Sequence, residues 1–274
     1  MKDQETSEIL IQINEKRVQI IAGMTLADVA ARHKPGADVL ILNGFPAPAE
    51  TTIREGDEVF LITRGEQPAE EELEALMAAR HTPGVHSRLK AATVGIAGVG
   101  GLGSAVAVAL ARVGIGRLII ADFDVVEPSN LNRQQYFIDQ IGDFKVDALA
   151  DNLRRINPYV KVEPHRILLD PLNIPELFAD CTIVVEAFDR ADMKAMLVNT
   201  VLSEMPEAVV VAASGLAGFG PNNTIITRRA ARRLYVAGDA VSEAQPGNGL
   251  MAPRVAIAAG HQANQVVRIV LGEE

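Results

Sequence analysis

The sequence has no tryptophan, one cysteine, Cys181, and only 4% aromatic residues over 274 positions. A lone cysteine excludes an intramolecular disulfide and a four-cysteine zinc site. With so few rings, alanine, valine, isoleucine and leucine must fill the core. A cationic excess is also missing: 26 lysines and arginines stand against 35 aspartates and glutamates, a formal net charge of −9. That argues against general nucleic-acid binding, which needs many phosphate-neutralising cations. No apolar run approaches the roughly 20 residues that cross a bilayer, and residues 1–6 lack the apolar centre of a signal peptide. The expectation is a cytoplasmic protein with neither nucleic acid nor membrane as partner. The length suits one large domain plus a small one.

What the chain does have starts at 93–103. Residues 93–97 are a short apolar, partly β-branched run, as in a buried strand. Gly98, Gly100 and Gly103 follow at Gly-x-Gly-x-x-Gly spacing, with Gly101 between them, and 102–113 read as a helix closed by Gly114. Strand, glycines and helix start make a phosphate cradle: the backbone can approach closely, and unpaired N–H groups favour anionic oxygens. A tight turn is the alternative that the flanking elements argue against.

Residues 1–65 read as a separate unit. Ile9, Ile11 and Ile13 alternate with polar positions, and the order strand, strand, helix, strand, strand up to about position 63 suggests a β-grasp, with Thr25 as N-cap of its helix. Residues 66–84 form a glutamate-rich helical linker broken at Thr82-Pro83-Gly84. From 85 to 274, strands near 93–97, 117–121, 160–166, 182–186 and 208–213 alternate with helices, which predicts an α/β fold with a doubly wound, mostly parallel Rossmann-like sheet. An irregular stretch is expected up to Asn248, then a helix over 253–271.

The second strand ends in Asp122-Phe123-Asp124, where a carboxylate can accept from ribose hydroxyls of either NAD or ATP. Ser129-Asn130-Leu131-Asn132-Arg133-Gln134 follows in a loop on the same sheet edge. Arg133 offers a rigid fork of donors matched to phosphate oxygens, and Lys145 a mobile point charge. Hydride transfer needs neither, whereas attack on an α-phosphate does. Asp189 ends the fourth strand at that edge and suits Mg²⁺ or, alternatively, the N-cap of the next helix.

Together, Gly98 to Gly103, Asp122 to Asp124, Ser129 to Gln134, Lys145 and Asp189 resemble the ThiF/MoeB/HesA family, bacterial relatives of ubiquitin-activating enzymes. The resemblance implies a homodimer that adenylates the C-terminal glycine of a ubiquitin-like sulfur carrier with MgATP, releasing pyrophosphate. By it, Gly101 and its neighbours touch phosphate, Asp122 takes ribose, Asn130 and Arg133 hold phosphates, Lys145 steadies negative charge and Asp189 binds Mg²⁺. An upstream arginine, Arg80 in preference to Arg88, reaches the nucleotide. Two Cys-x-x-Cys zinc pairs and a thioester cysteine found in many relatives are missing, so adenylation without zinc or an enzyme thioester is expected. That form most resembles a shorter ThiF subgroup linked to thiamine synthesis. An NAD-dependent oxidoreductase and a non-catalytic nucleotide-binding scaffold are the alternatives.

Residues 8–64 resemble the ThiS/MoaD carriers through Asn43-Gly44 and Glu55-Gly56-Asp57. Those carriers end in Gly-Gly, whereas here Thr63-Arg64-Gly65-Glu66 continues into more chain. A docking, regulatory, structural or dimer-assembling module is therefore expected. Arg228, Arg229, Arg232 and Arg233 read as a solvated turn or a dock for an acidic carrier; Gln245 to Gly249 read as a loop over the carrier tail. His261 and Cys181 are expected to be structural.

Overall fold

The computed structural model describes residues 7–80 and 84–273, which fall into two compact units on either side of the 83–84 boundary. In the first, β1 (Glu8–Ile13) and β2 (Lys16–Ile21) form an antiparallel hairpin. Its turn residues Asn14 and Glu15 have φ of 45° and 66°. Helix α1 (Leu26–His33) starts where Thr25 and Asp28 exchange side-chain-to-backbone hydrogen bonds of 2.9 and 3.2 Å, a capping box. Strands β3 (Val39–Leu42), β4 (Phe45–Pro46) and β5 (Glu58–Ile62) complete a sheet of order β2-β1-β5-β3-β4, with β1 and β5 parallel. Ile11, Ile20, Leu26, Val29, Val59 and Leu61 are its core. This is the β-grasp that the spacing predicts, and α2 (Glu70–Arg80) belongs to the same unit.

The second unit opens with α3 (Val85–Ala91), β6 (Thr93–Ala97) and α4 (Gly101–Arg112). It continues through β7 (Arg117–Asp122), α5 (Lys145–Ile156), β8 (Lys161–Arg166) and α6 (Asn173–Leu177). Then come β9 (Ile183–Glu186), α7 (Ala191–Glu204), β10 (Val209–Ala213), β11 (Ile226–Ala231), β12 (Leu234–Gly238) and α8 (Ala252–Leu271). The seven strands stand in the order β11-β12-β10-β9-β6-β7-β8, all parallel except the edge strand β11. The chain winds outward from β6 through β7 and β8, then restarts at β9 on the other side. The crevice beyond the carboxyl ends of β6 and β9 is where such sheets bind ligands.

Apolar helices cover both faces. Val106, Leu110, Leu149 and Val266 pack on one, Phe178, Leu197 and Val201 on the other. Gly95 sits in mid-strand because a Cβ there would lie 2.5 Å from the Phe178 ring. The stretch before Asn248 is less irregular than its sequence suggests, for Leu234–Gly238 is an internal parallel strand beside β10. Its β-branched content is low and arginines precede it, so no period-2 pattern marks it. Among the described residues no helix is long and apolar enough to cross a membrane.

Candidate functional site

Beyond the carboxyl ends of β6, β7, β9 and β10 lies a cavity of about 580 Å³. Gly98, Gly100, Gly101, Asp122, Asp124, Arg133, Lys145 and Asp189 all line it, so residues spread over ninety positions meet in one place. The glycine loop is built by sterics. Gly98 has φ +84° and packs against the Ala187 carbonyl, 3.1 Å from where a Cβ would stand. A Cβ on Gly103 would fall 1.9 Å from the Gly98 oxygen, so Gly103 closes the loop by packing and does not line the cavity. Helix α4 has Gly100 as N-cap with no side-chain cap, which leaves its first N–H groups facing the site.

Asp122 locks the floor. Its Oδ2 accepts from Val99 N at 2.8 Å and its Oδ1 from Asp124 N at 2.9 Å. Tyr136 donates its hydroxyl to the Val99 carbonyl at 2.7 Å, and Gln135 N donates to Ser104 Oγ at 3.2 Å, which pins the 131–136 segment to the glycine loop. Burial holds the Tyr136 phenol protonated, with the Asp122 and Asp124 charges adding to it.

Among the described residues four cations line the cavity. Lys145 is nearly buried and pairs with Asp124 at 2.7 Å. Lys194 pairs with Glu186 at 3.0 Å, and Arg190 with Asp192 at 2.5 Å. Arg133 alone of the four has no carboxylate partner among the described residues; it donates to neutral oxygens only, Ser129 O at 3.2 Å and Asn132 Oδ1 at 2.8 Å. Gly101 leaves room for its stem, since a Cβ there would touch Arg133 Cγ at 3.4 Å.

Ser129 and Asn130 do not line the cavity. The Asn130 side chain is buried and accepts from Glu127 N at 3.1 Å, closing the turn whose next residues carry Arg133. Its amide is spent on shaping that turn. Asp189 is exposed on the cavity wall and carries no ion pair among the described residues. It is not the helix cap: Arg190 holds that position, without a side-chain cap bond. No group of three or more metal-type ligands occurs among the described residues. A single accessible carboxylate fits Mg²⁺, which takes one or two protein oxygens and completes its shell from phosphates and water.

The Arg80 side chain lies outside the described residues. Arg88 donates to the Leu271 carbonyl at 2.6 Å, where α8 ends. The arginine cluster is dispersed by the β11–β12 hairpin. Arg233 caps α7 by donating to Leu202, Met205 and Ala208 carbonyls at 2.6 to 2.9 Å, and Arg229 lies over the Tyr235 ring. Arg228 lines an open cleft of about 720 Å³ with Phe219, Val241, Asp239 and Arg254. Ala217 and Ser242 line both cleft and cavity, so the two adjoin. Burial raises the Asp239 carboxyl, but donation from Ser242, Val241 and Arg254 outweighs it and holds the group down at about 2. His261 meets Thr227 Oγ1 at 3.0 Å, and Cys181 is buried.

Sequence spacing gave no signal for Lys194 or for the 242–244 segment on this wall, and Gln134, part of the 129–134 run but given no role, also lines it. Glu186 ends β9 with 1% exposure beneath the Asp189 turn.

The sequence pattern of the ThiF family matches residues 74–274, and that of ThiS-like ubiquitin proteins matches residues 9–65. The adenylyltransferase and sulfurtransferase uba4 of Aspergillus clavatus is 40% identical over 114 residues, 41% of this chain and 23% of that protein. The SAMP-activating enzyme E1 of Haloferax volcanii is 39% identical over 116 residues, 42% of this chain and 43% of that one. The molybdopterin-synthase adenylyltransferase of Escherichia coli is 39% identical over 110 residues, 40% and 44% of the two chains. The match thus spans less than half the length of each of these relatives. Among solved structures, E. coli tRNA N6-threonylcarbamoyladenosine dehydratase in complex with ATP superposes with a TM-score of 0.66 at 21% identity, covering 72% of this chain and 93% of that one. PaaA superposes at 0.54 with 26% identity, covering 78% and 71%.

Proposed function

The chain belongs to the ThiF family, and from that premise we propose that it is a nucleotidyltransferase that adenylates a ubiquitin-like sulfur carrier with MgATP. The observation that carries the reading is the convergence of an uncapped helix start, Arg133, Lys145 and Asp189 on one cavity. Relatives named as adenylyltransferases and as a SAMP-activating enzyme support it, as does a structural neighbour in complex with ATP.

In this reading the α4 N–H groups and Arg133 hold phosphate oxygens. Asp122, fixed by Val99 N, presents its remaining lone pairs to the ribose hydroxyls. Asp189 would hold Mg²⁺, which when bound neutralises triphosphate charge. The carrier's terminal carboxylate attacks the α-phosphorus, an O–P bond forms, and the bond to pyrophosphate breaks. Arg133 and Lys145 stabilise the charge that builds on the phosphoryl oxygens. The cleft that adjoins the cavity at Ala217 and Ser242 is the route for an extended Gly-Gly tail, with 245–249 beside it. Its buried Arg254 is paired with Asp239 at 2.6 Å.

The finer assignments are a thiamine-pathway carrier and a homodimer. The β-grasp unit, which has no Gly-Gly end, serves as a docking module. A dinucleotide oxidoreductase would use the same glycines and Asp122 but would leave Arg133 and Asp189 without a task. ATP–pyrophosphate exchange with carriers ending in Gly-Gly tests the reading. Exchange that depends on carrier supports it; NADH binding without ATP binding overturns it.

A further inference from the structure

Beneath the Asp189 turn lies a charge pair that the reaction above does not use. The Glu186 carboxylate is 1% exposed at the tip of β9. Its Oε1 accepts from Phe188 N at 2.8 Å and from Lys194 Nζ at 3.0 Å, and its Oε2 accepts from Lys194 Nζ at 3.1 Å. Lys194 also donates to the Ala213 carbonyl at the tip of β10, at 3.1 Å. An ammonium has three N–H donors, and here three acceptor oxygens surround it. Lys194 lines the cavity, yet it has no donor left for a nucleotide unless it abandons a buried carboxylate, which is costly.

The pair therefore ties together three elements. It joins β9, the turn 187–190 and α7, and it reaches β10 through Lys194. The same turn backs the glycine loop, since the Ala187 carbonyl lies against Gly98. Gln262 reinforces the arrangement from α8 by donating to the Glu186 carbonyl at 2.9 Å and the Val211 carbonyl at 3.1 Å. Burial raises the Glu186 carboxyl, and the Lys194 charge and hydrogen bonds oppose that.

We propose that Glu186 and Lys194 are a positioning pair that aims the Asp189 turn at a metal–nucleotide complex without touching the nucleotide. The inference rests on the reading of the cavity as a MgATP site. Partners that orient a metal ligand from behind are worth about 10- to 100-fold in metal affinity or activity.

The test measures calorimetric affinity of the whole chain for a non-hydrolysable ATP analogue, with and without Mg²⁺. Glu186→Gln keeps the shape and removes the charge. It is expected to weaken the Mg²⁺ form about tenfold and the metal-free form less than twofold. Lys194→Arg should stay within about threefold of the wild type, because it can still donate to Glu186. The double variant Glu186→Gln/Lys194→Met, which buries no lone charge, covers the case in which Glu186→Gln fails to fold. It should show the same selective loss of the Mg²⁺ form. Equal weakening of both forms would mean direct nucleotide contact and overturn the proposal. So would a lowered melting temperature with both affinities unchanged. A wild-type chain that binds no MgATP analogue overturns the reading of the cavity and the pair's role with it.

Discussion

Lys145 Nζ and Asp124 Oδ2 stand 2.7 Å apart on the cavity wall, and the lysine side chain is only 8% exposed. The Lys145 charge is therefore already balanced before any nucleotide arrives. Among the described residues Arg133, with neutral partners only, is the cation on that wall with charge to spare.

Lys145→Ala is expected to do more than remove a cation, because it strands the Asp124 carboxylate next to incoming phosphates. ATP affinity should fall by about 100-fold, roughly 2.7 kcal/mol. Adding Asp124→Asn to Lys145→Ala should recover part of that. Titration calorimetry of the two variants reads the difference, and an additive double variant would count against the pairing.

Arg133→Lys retains the charge and loses the planar fork. Exchange activity is expected to drop about tenfold in Arg133→Lys and about 100-fold or more in Arg133→Ala. Equal losses would show that only charge matters there. No loss in either would remove Arg133 from the site.

Two glycines of one motif should respond differently. A Cβ on Gly103 would meet the Gly98 carbonyl oxygen at 1.9 Å, a backbone atom that cannot step aside. Gly103→Ala should abolish the cooperative thermal transition of the second unit or leave the protein insoluble. A Cβ on Gly100 would meet nothing closer than Gln134 Nε2 at 3.7 Å. Gly100→Ala should melt within a few degrees of the wild type, and any loss of ATP affinity would then be a local effect.

Burial pushes the Cys181 thiol up to about 12. The thiolate is scarce at neutral pH, so alkylation in the native state should be slow at pH 8 and become rapid in denaturant. Cys181→Ser should retain exchange activity. Rapid native labelling would contradict the burial, and an inactive Cys181→Ser would reopen a thioester mechanism.

Glu163 is held down at about 2 by hydrogen bonds from Arg117, then Lys161, against an ordinary value of 4.5. A carboxylate whose folded pKa is depressed stabilises the fold above its unfolded pKa. That contribution is lost as pH falls through the folded value. Native stability should therefore decline between about pH 4.5 and 2, and Glu163→Gln should flatten that part of the profile. Denaturant melts of both proteins across that range measure it. Parallel profiles would show that Glu163 plays no part in acid unfolding.

The amino-acid sequence by itself determined the local parts. Residues 93–103 could only be a buried strand, a turn and a helix start, because short β-branched and glycine runs leave few allowed backbones. The alternation of strands and helices determined a parallel sheet, and with it the edge at which Asp122, Arg133, Lys145 and Asp189 would meet. Folding decided the rest. Asn130 carries the type of side chain that binds phosphate, yet its amide closes a turn at Glu127. Arg233 stands in a basic cluster but caps α7, 28 residues away from Met205 in sequence. Strand β12 is made by its neighbour β10, since its own residues carry no period-2 pattern. Lys194 reads as an ordinary helical lysine until Glu186 is placed beneath it at 3.0 Å. Chain spacing fixes which side chains share a strand end or a helix face. Which polar group spends its hydrogen bonds on a partner, and which keeps them for a ligand, depends on atoms brought together from distant parts of the chain.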